Sequence, residues 1–465
     1  MSQPFNGLLC SPHSFYDEGI DHALDLVQRT AGTNAIVVYA YQGMTPAARP
    51  SGGLADHGKP IQHDRNNDAK IWVNIDERYF RDTALRHEPD APDRPHAGRD
   101  LYADLEKPLD DRGMQLVARV LEGWSFGYRP GFFNVHEIDA FGRVMNHPCY
   151  NHPDYQRFWI ASIHNLFGQY NHLTGLYYGS ERNTPINQLL SGNMAGCFCP
   201  YCKKLAEEQS IDPERAQRGF VALYHLVQEM IANGKPSDGA FISIMRLLIE
   251  HPEIMAWERL WQQSYARIPR LLKGVMQTIN PKLELGWHGD HGTTGVQIFK
   301  RIATDYAKMT DYYDWIKPCV YHLATAPRMK GNLQKIQRSL LADLDIQQAL
   351  EFQYAIYGYD RAVEPAFDQL PETASEQGRL STNYTRREIG RAVEAVQGRS
   401  KIYGGLGIGV PVGSPSPEDP AITYEDTKSC FEAGANGLLI GREYDEIPIP
   451  NLEAIGRAYR EWAND

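Results

Sequence analysis

The chain has 465 residues, of which 42% are apolar and 23% charged. This is ordinary globular composition: it excludes wholesale disorder, and 40 Gly with 29 Pro in no fixed period exclude a collagen-like chain. A formal charge of -11 (47 basic against 58 acidic residues) without a Lys/Arg run speaks against a nucleic-acid partner, and no apolar run approaches the ~18 residues of a membrane span.

In chain order, Met1–Pro12 lacks a basic region followed by an apolar core, so no signal peptide is read there. Ser14–Thr30 predicts an amphipathic helix with Ile20, Leu24 and Val27 on one face. Ala35–Tyr41 predicts the first strand. Residues 42–96 form a long polar insertion after it, placed to act as a lid or specificity element. Arg99–Asp110 predicts a helix, and Met114–Val120 and Phe132–Ile138 the second and third strands. Helix Asp154–Tyr170 leads to a fourth strand, Gly175–Ser180, and residues 182–280 form an extended loop and helical insertion, largely helical over Ala216–Asn280 with a break near Gly234–Gly239. Strands Leu283–His288, Trp315–Tyr321, Lys401–Gly409 and Gly437–Arg442 follow, with helices at Val296–Met309, Leu333–Leu344, Arg386–Gln397, Tyr424–Ala433 and Leu452–Ala463.

Eight strand–helix alternations predict an α/β fold, a single (β/α)8 TIM barrel over residues 1–465 with long loop insertions. The alternative is a doubly wound open sheet, but no GxGxxG or GxxxxGK[ST] turn follows Ala35–Tyr41. A barrel places its chemistry at the C-terminal ends of the strands. Those ends carry Asn134, His136 and Glu137; Tyr178 and Glu181; Trp287, His288, Asp290 and His291; Tyr321 and His322; Arg442 and Glu443.

Cys197, Cys199 and Cys202 put three thiols within six residues before a helix, the bite of one tetrahedral Zn2+. Cys149, 48 residues upstream of Cys197, is the candidate fourth ligand, and four thiolates make a closed, structural site. Free thiols or a redox CxxC at Cys199–Cys202 are the alternatives. Cys10, Cys319 and Cys430 read as packing residues. A metal-type rather than disulfide pattern among seven cysteines favours a reducing, cytoplasmic setting.

The segments Cys149–Tyr155, Gly175–Glu181 and Cys197–Cys202 together resemble the zinc-containing β-galactosidases of glycoside hydrolase family 42, over roughly residues 145–205. The C-terminal half, including Gly286–His291, Lys317–Tyr321 and Gly441–Asp445, also resembles uncharacterised bacterial glycosidase-like barrel proteins. The first resemblance implies a structural zinc on the four cysteines and a general acid/base at Glu181. Two departures stand out: Ser180 precedes Glu181 where that family has Asn, and the seventh strand, Lys401–Val410, carries no Asp or Glu for a nucleophile.

Glycoside cleavage needs two carboxyl groups across the scissile bond. Glu181 is the first; Glu443, Asp290 and Glu137 compete for the second, and Glu351 in Ala349–Tyr357 would enter if that stretch were strand seven. With 26 Tyr and 8 Trp there are ample platforms for a sugar. His13, Asp56, His57, Asn134, Tyr178, Trp287, His288, Tyr321, His322, Arg328 and Arg442 complete the candidate substrate contacts. The expectation is a glycosidase acting on a small carbohydrate, with structural zinc, no organic cofactor, no nucleic-acid or membrane partner, and homo-oligomerisation left open. Two rivals use the same barrel. One is a metal-dependent sugar isomerase or lyase with His136, Glu137, Glu181, His288, Asp290 and His291 as ligands. The other is a non-catalytic carbohydrate-binding barrel.

Overall fold

Short runs rich in Val, Ile, Leu and Tyr cannot expose both faces to water, so they pair into a sheet and close. A computed structural model describes residues 3–41, 56–58, 69–122, 130–372, 380–381, 383–408 and 418–464. Its sheet is a closed eight-stranded barrel. The strands are β1 (Phe5–Cys10), β2 (Ala35–Tyr39), β3 (Gln115–Leu121), β4 (Leu173–Gly179), β5 (Glu284–His288), β6 (Trp315–Lys317), β7 (Lys401–Gly404) and β8 (Gly437–Ile440). Each pairs in parallel with its neighbours in sequence, and β8 closes on β1. Helices cover the outside, so this is a (β/α)8 barrel. Among the described residues, no helix is long and apolar enough to cross a membrane.

Eight strands are predicted and eight are found, but one differs. Phe132–Ile138 is not a barrel strand. Pro130–Val135 is a 3-10 turn, and His136–Ile138 forms an antiparallel hairpin with Val144–Pro148 outside the barrel. Phe132 is buried against Phe158 of helix Pro153–Gln169, with ring centroids 5.0 Å apart, while Phe133 and Asn134 are exposed. The run is apolar because it packs under a helix, a cause that a short window cannot separate from strand burial. The missing strand is Phe5–Cys10. Asn6 and Gly7 weaken its pattern, yet a Cβ on Gly7 would lie 2.5 Å from the Phe5 ring, so the barrel needs glycine there. The 42–96 segment therefore leaves β2.

Alternation decides which residues enter the barrel. Leu9, Val37, Val117, Tyr177, Trp315, Tyr403 and Leu439 fill its interior, joined by Phe5. Tyr177 and Trp315 stack at 5.2 Å, and Gly286 leaves the space that the Trp315 ring occupies, since a Cβ there would sit 2.0 Å from it. One step up, the inward positions Tyr39, Arg119, His288 and Lys317 form a polar top layer: Tyr39 pairs with Arg119 and His288 with Lys317 in register.

Two further local readings change. Ser14–Thr30 is two helices, Ser14–Asp17 and Ile20–Ala31, separated by Gly19 at φ 88°. Ala349–Tyr357 belongs to helix Ile346–Tyr357, started by an Asp345–Gln348 capping box, so Glu351 is on a helix and not on strand seven. Helices Pro185–Leu190, Pro200–Glu208, Pro213–Asn233 and Ala240–Glu250 build a satellite core with the N-terminal part of Glu253–Ile279, centred on Phe198 stacked on Trp257 at 4.4 Å.

Candidate active site

Two carboxylates stand at the C-terminal mouth, one after β4 and one after β8, strands half a turn apart in the ring. Glu181 Oε1 lies 3.0 Å from His288 Nε2, and His288 Nδ1 lies 2.8 Å from the Tyr177 hydroxyl. Burial lowers the His288 pKa, against the pull of Glu181, so the ring is neutral near pH 7. A neutral imidazole then donates from one nitrogen and accepts at the other. With Glu181 ionised, Nε2–H donates to the carboxylate and the Tyr177 hydroxyl donates to Nδ1. With Glu181 protonated, both bonds reverse. The chain can thus hold the proton at either end.

On the other side, Arg119 Nη1 donates to Glu443 Oε1 at 2.7 Å, and its guanidinium lies over the Tyr39 ring at 4.0 Å. The Glu443 charge raises the Arg119 pKa despite burial, which makes this a fixed ion pair. The other oxygen, Oε2, has no hydrogen-bond partner among the described residues. The side chains are 36% exposed for Glu181 and 12% for Glu443, so the former meets water and the latter is sheltered. Arg442 forks onto Glu446, with Nε 2.8 Å from Oε2.

β6 supplies Lys317, fully buried, with Nζ 5.0 Å from the Tyr321 ring and 6.0 Å from the Tyr177 ring. The glycine-rich end of β7 makes room for both side chains: a Cβ on Gly405 would lie 2.7 Å from Lys317 Cε, and one on Gly407 2.4 Å from the Tyr321 ring. Beside them His291 Nδ1 accepts from Arg328 Nη1 at 2.7 Å, because a guanidinium only donates, and Nε2–H donates to Thr325 Oγ1 at 2.8 Å.

The remaining candidates are dispersed. Asp290 caps the turn His291–Thr293, accepts from Gly292 N at 2.6 Å and is ion-paired with Lys300. With Trp287 it lines a separate cavity of about 400 Å³ between β5 and helix Glu253–Ile279. Tyr178 faces outward, its ring edge-on to Trp159 at 5.3 Å. His13 lies 3.8 Å from Asp445. His57 is buried between Glu18 (3.1 Å) and the Ile447 carbonyl (2.8 Å), and Asp56 accepts from Ile449 N at 2.7 Å, so both pin the insertion to the loops after β1 and β8. His322 is buried against Glu418 (2.7 Å) and Asp426 (3.5 Å). Glu137 lies in a buried network behind the mouth: Arg182 Nη1 reaches it at 3.3 Å, and Arg182 also pairs with fully buried Glu122. Tyr155 and Ser180 donate to that same Glu122 at 2.5 and 2.6 Å. Burial raises the Glu137 pKa to about 7. The ligands of the metal-dependent rival do not converge. Among the described residues only the four cysteines and the His322–Glu418–Asp426 trio bring ligand atoms within 4.8 Å of one another.

The cysteines are drawn together by the hairpin. Phe198 N donates to Ile138 O at 2.6 Å and Cys149 N to Val135 O at 2.7 Å, which docks the 195–199 loop on the strand carrying Glu137. The Sγ atoms of Cys149 and Cys202 are 3.4 Å apart, and those of Cys149 and Cys199 3.6 Å. Four thiolates at ~2.3 Å from one ion have edges near this length, far beyond the ~2.05 Å of a disulfide. Backbone N–H of Ile138 and Asn151 and the Asn151 amide point at sulfurs from 3.3–3.4 Å, the donors a thiolate cluster needs. The donor set fits a four-coordinate metal.

Two residues of the mouth escape the sequence reading: Arg119 and Lys317. The signal for both is visible, a lone charged residue in Leu116–Leu121 and in Trp315–Lys317.

No protein-family profile matches the sequence, and no curated protein does. Solved structures do match in fold. A β-galactosidase from Rahnella sp. R3 superposes with a TM-score of 0.51 at 12% identity, over 100% of this chain and 56% of its own. A β-galactosidase from the psychrophilic Marinomonas ef1 gives 0.50 at 11% identity, over 98% and 59%. The chain spans little more than half the length of either, and the likeness is one of fold.

Proposed function

We propose that the protein is a glycoside hydrolase whose acid/base is Glu181 and whose second carboxylate is Glu443. One observation carries the reading: two carboxylates flank the barrel mouth from β4 and β8, one wired to a proton-holding His–Tyr chain and the other clamped by an arginine. Glu181, protonated through His288, gives its proton to the glycosidic oxygen. Glu443, paired with Arg119, stabilises or attacks the oxocarbenium-like centre, or activates the water that does. This replaces the absent strand-seven acid with one from strand eight. Asp290 is a poorer second carboxylate because Lys300 and the turn amides already hold it. The β-galactosidase fold neighbours are consistent with a carbohydrate substrate.

We also infer that the four cysteines hold one structural Zn2+. A closed thiolate set leaves no position for substrate, so the ion ties hairpin to helical insertion and takes no part in turnover.

The test is hydrolysis of an aryl-glycoside and oligosaccharide panel, with and without EDTA, beside Glu181→Gln and Glu443→Gln. Turnover that survives brief EDTA and falls by about 10²-fold or more in each variant supports the reading. Turnover abolished by EDTA while the protein stays folded, or undiminished in the variants, overturns it.

A further inference from the structure

Trp287 and Asp290 belong to the cavity of about 400 Å³ on the outer side of β5, a volume in the range of small-molecule sites. The cavity exists because the chain after β5 covers its neighbour poorly. Helix Glu253–Ile279 has 27 residues, whereas the opposite wall is built on two stubs, Ile298–Ala303 and Tyr306–Met309, of 6 and 4. From the long helix, Arg259, Gln262, Gln263, Ala266 and Arg270 line the space. The spacing i, i+3, i+4, i+7 and i+11 puts them on one face, and the helical rise makes that stripe ~16 Å long. A stripe that packs on another helix is apolar; this one is polar. Trp261, Tyr265, Trp287 and Tyr312 add aromatic wall, with Trp261 and Tyr265 stacked at 5.6 Å. Three of the lining cations are spent: Lys300 on Asp290, Lys308 on Asp305 and Arg182 on Glu122. Arg259 and Gln263 are exposed and have no hydrogen-bond or ion-pair partner among the described residues. Gln262 uses its amide nitrogen alone, on Glu258 at 3.0 Å. Ile302, also in the lining, is 67% exposed.

We infer that this cavity is a second saccharide site, outside the barrel mouth, which takes a linear oligosaccharide lying along helix Glu253–Ile279. Aromatic rings with polar tips suit the mixed C–H and hydroxyl faces of sugars, and the unspent amide and guanidinium groups hydrogen-bond hydroxyls. The length of the stripe favours a chain of linked rings over a single one. A wholly apolar ligand does not suit a wall with five cations and two carboxylates. Ser180 and Asp290 also line the cavity, so the site backs onto the strand ends that carry Glu181 and His288. The presence of a ligand site rests on the wall alone; its saccharide class rests on the wall together with the glycoside hydrolase reading.

The test is calorimetric titration of full-length Glu181→Gln, chosen so that the ligand is not consumed, with cellotetraose, mannotetraose, galactotetraose and chitotetraose, each against its monosaccharide. At least one tetrasaccharide should bind about 10-fold or more tightly than its monosaccharide. Ala266→Trp, which fills the middle of the stripe, should abolish that binding, and Arg259→Ala and Gln263→Ala should each weaken it several-fold. Hydrogen exchange should show protection of residues 259–270 and 298–309 by the same tetrasaccharide. With Glu181 intact, Ala266→Trp should leave hydrolysis of a small aryl glycoside unchanged. Binding of no tetrasaccharide, an advantage that survives all three substitutions, or protection confined to the strand ends would overturn the proposal. Arg259 and Gln263 are exposed, so their variants keep the test valid if Ala266→Trp does not fold. Binding is read without turnover, so a negative result here leaves the Glu181→Gln assay standing, and a failed assay leaves this one.

Discussion

His288 stands between Glu181 and Tyr177, 3.0 Å from the carboxylate and 2.8 Å from the phenol. The three should be graded in their effect on glycoside turnover. Glu181→Gln removes the proposed proton donor and should cost about 10²–10⁴-fold in kcat. His288→Gln leaves the acid without its partner and should cost less. Tyr177→Phe keeps the ring that packs on Trp315 and loses only the hydroxyl that sets the tautomer, so it should cost least. An inverted order in steady-state kinetics would break the relay.

Arg119 and Glu443 should act as a unit. Arg119→Met leaves Glu443 without its counter-charge and should depress kcat about 10²-fold or more, with Arg119→Lys recovering part of it through a point charge but not the fork geometry. Adding Glu443→Gln to Arg119→Met should cost little further, because a broken pair is not broken twice.

Cys202→Ala should lower bound zinc, read by elemental mass spectrometry, from about one ion per chain to near zero. The melting temperature should fall with it, since the proposed ion would link Cys149 after the hairpin to the helical insertion, and prolonged chelation of the unmutated chain should reproduce the fall. Limited proteolysis should then cut first within residues 195–260.

The Arg182–Glu122 pair is fully buried, so removing one partner strands the other. Arg182→Met should destabilise by about 3–5 kcal/mol in chemical denaturation, far beyond an exposed pair such as Arg78–Asp76. Burial alone would raise the Glu122 pKa, but Arg182 and the hydrogen bonds from Ser180 and Tyr155 outweigh it and hold it below the ordinary range. A depressed folded pKa gives stability that is complete above the unfolded value and is lost as pH falls through the folded one. Denaturation midpoints below about pH 4.3 should therefore decline more steeply in the unmutated protein than in Arg182→Met.

Gly405→Ala should fail sterically. Its Cβ would lie 2.2 Å from the Pro318 carbonyl oxygen and 2.7 Å from Lys317 Cε. The backbone contact cannot give, so a loss of about 1–3 kcal/mol is expected, with displacement of Lys317. The substitution Gly274→Ala, where the added carbon meets nothing within 4 Å, is the control.

Much of this architecture is legible in the residues themselves. Seven of the eight barrel strands, the order of helices between them and the clustering of Cys197, Cys199 and Cys202 follow from period and spacing, because local backbone preference and burial pattern act over a few residues. What tertiary structure alone decided is which strand ends face the axis and which partners meet there. Phe5–Cys10 entered the barrel and Phe132–Ile138 left it, since a run is apolar whether it lies under a helix or within a sheet. Tyr178 and Trp287 turned outward while Tyr177 and His288 turned in, a choice of phase that one residue of register reverses. Arg119 and Glu443 are 324 residues apart and Glu181 and His288 are 107. No spacing rule joins such pairs; only closure of the barrel brings their strand ends to one rim, where buried charge must find a partner.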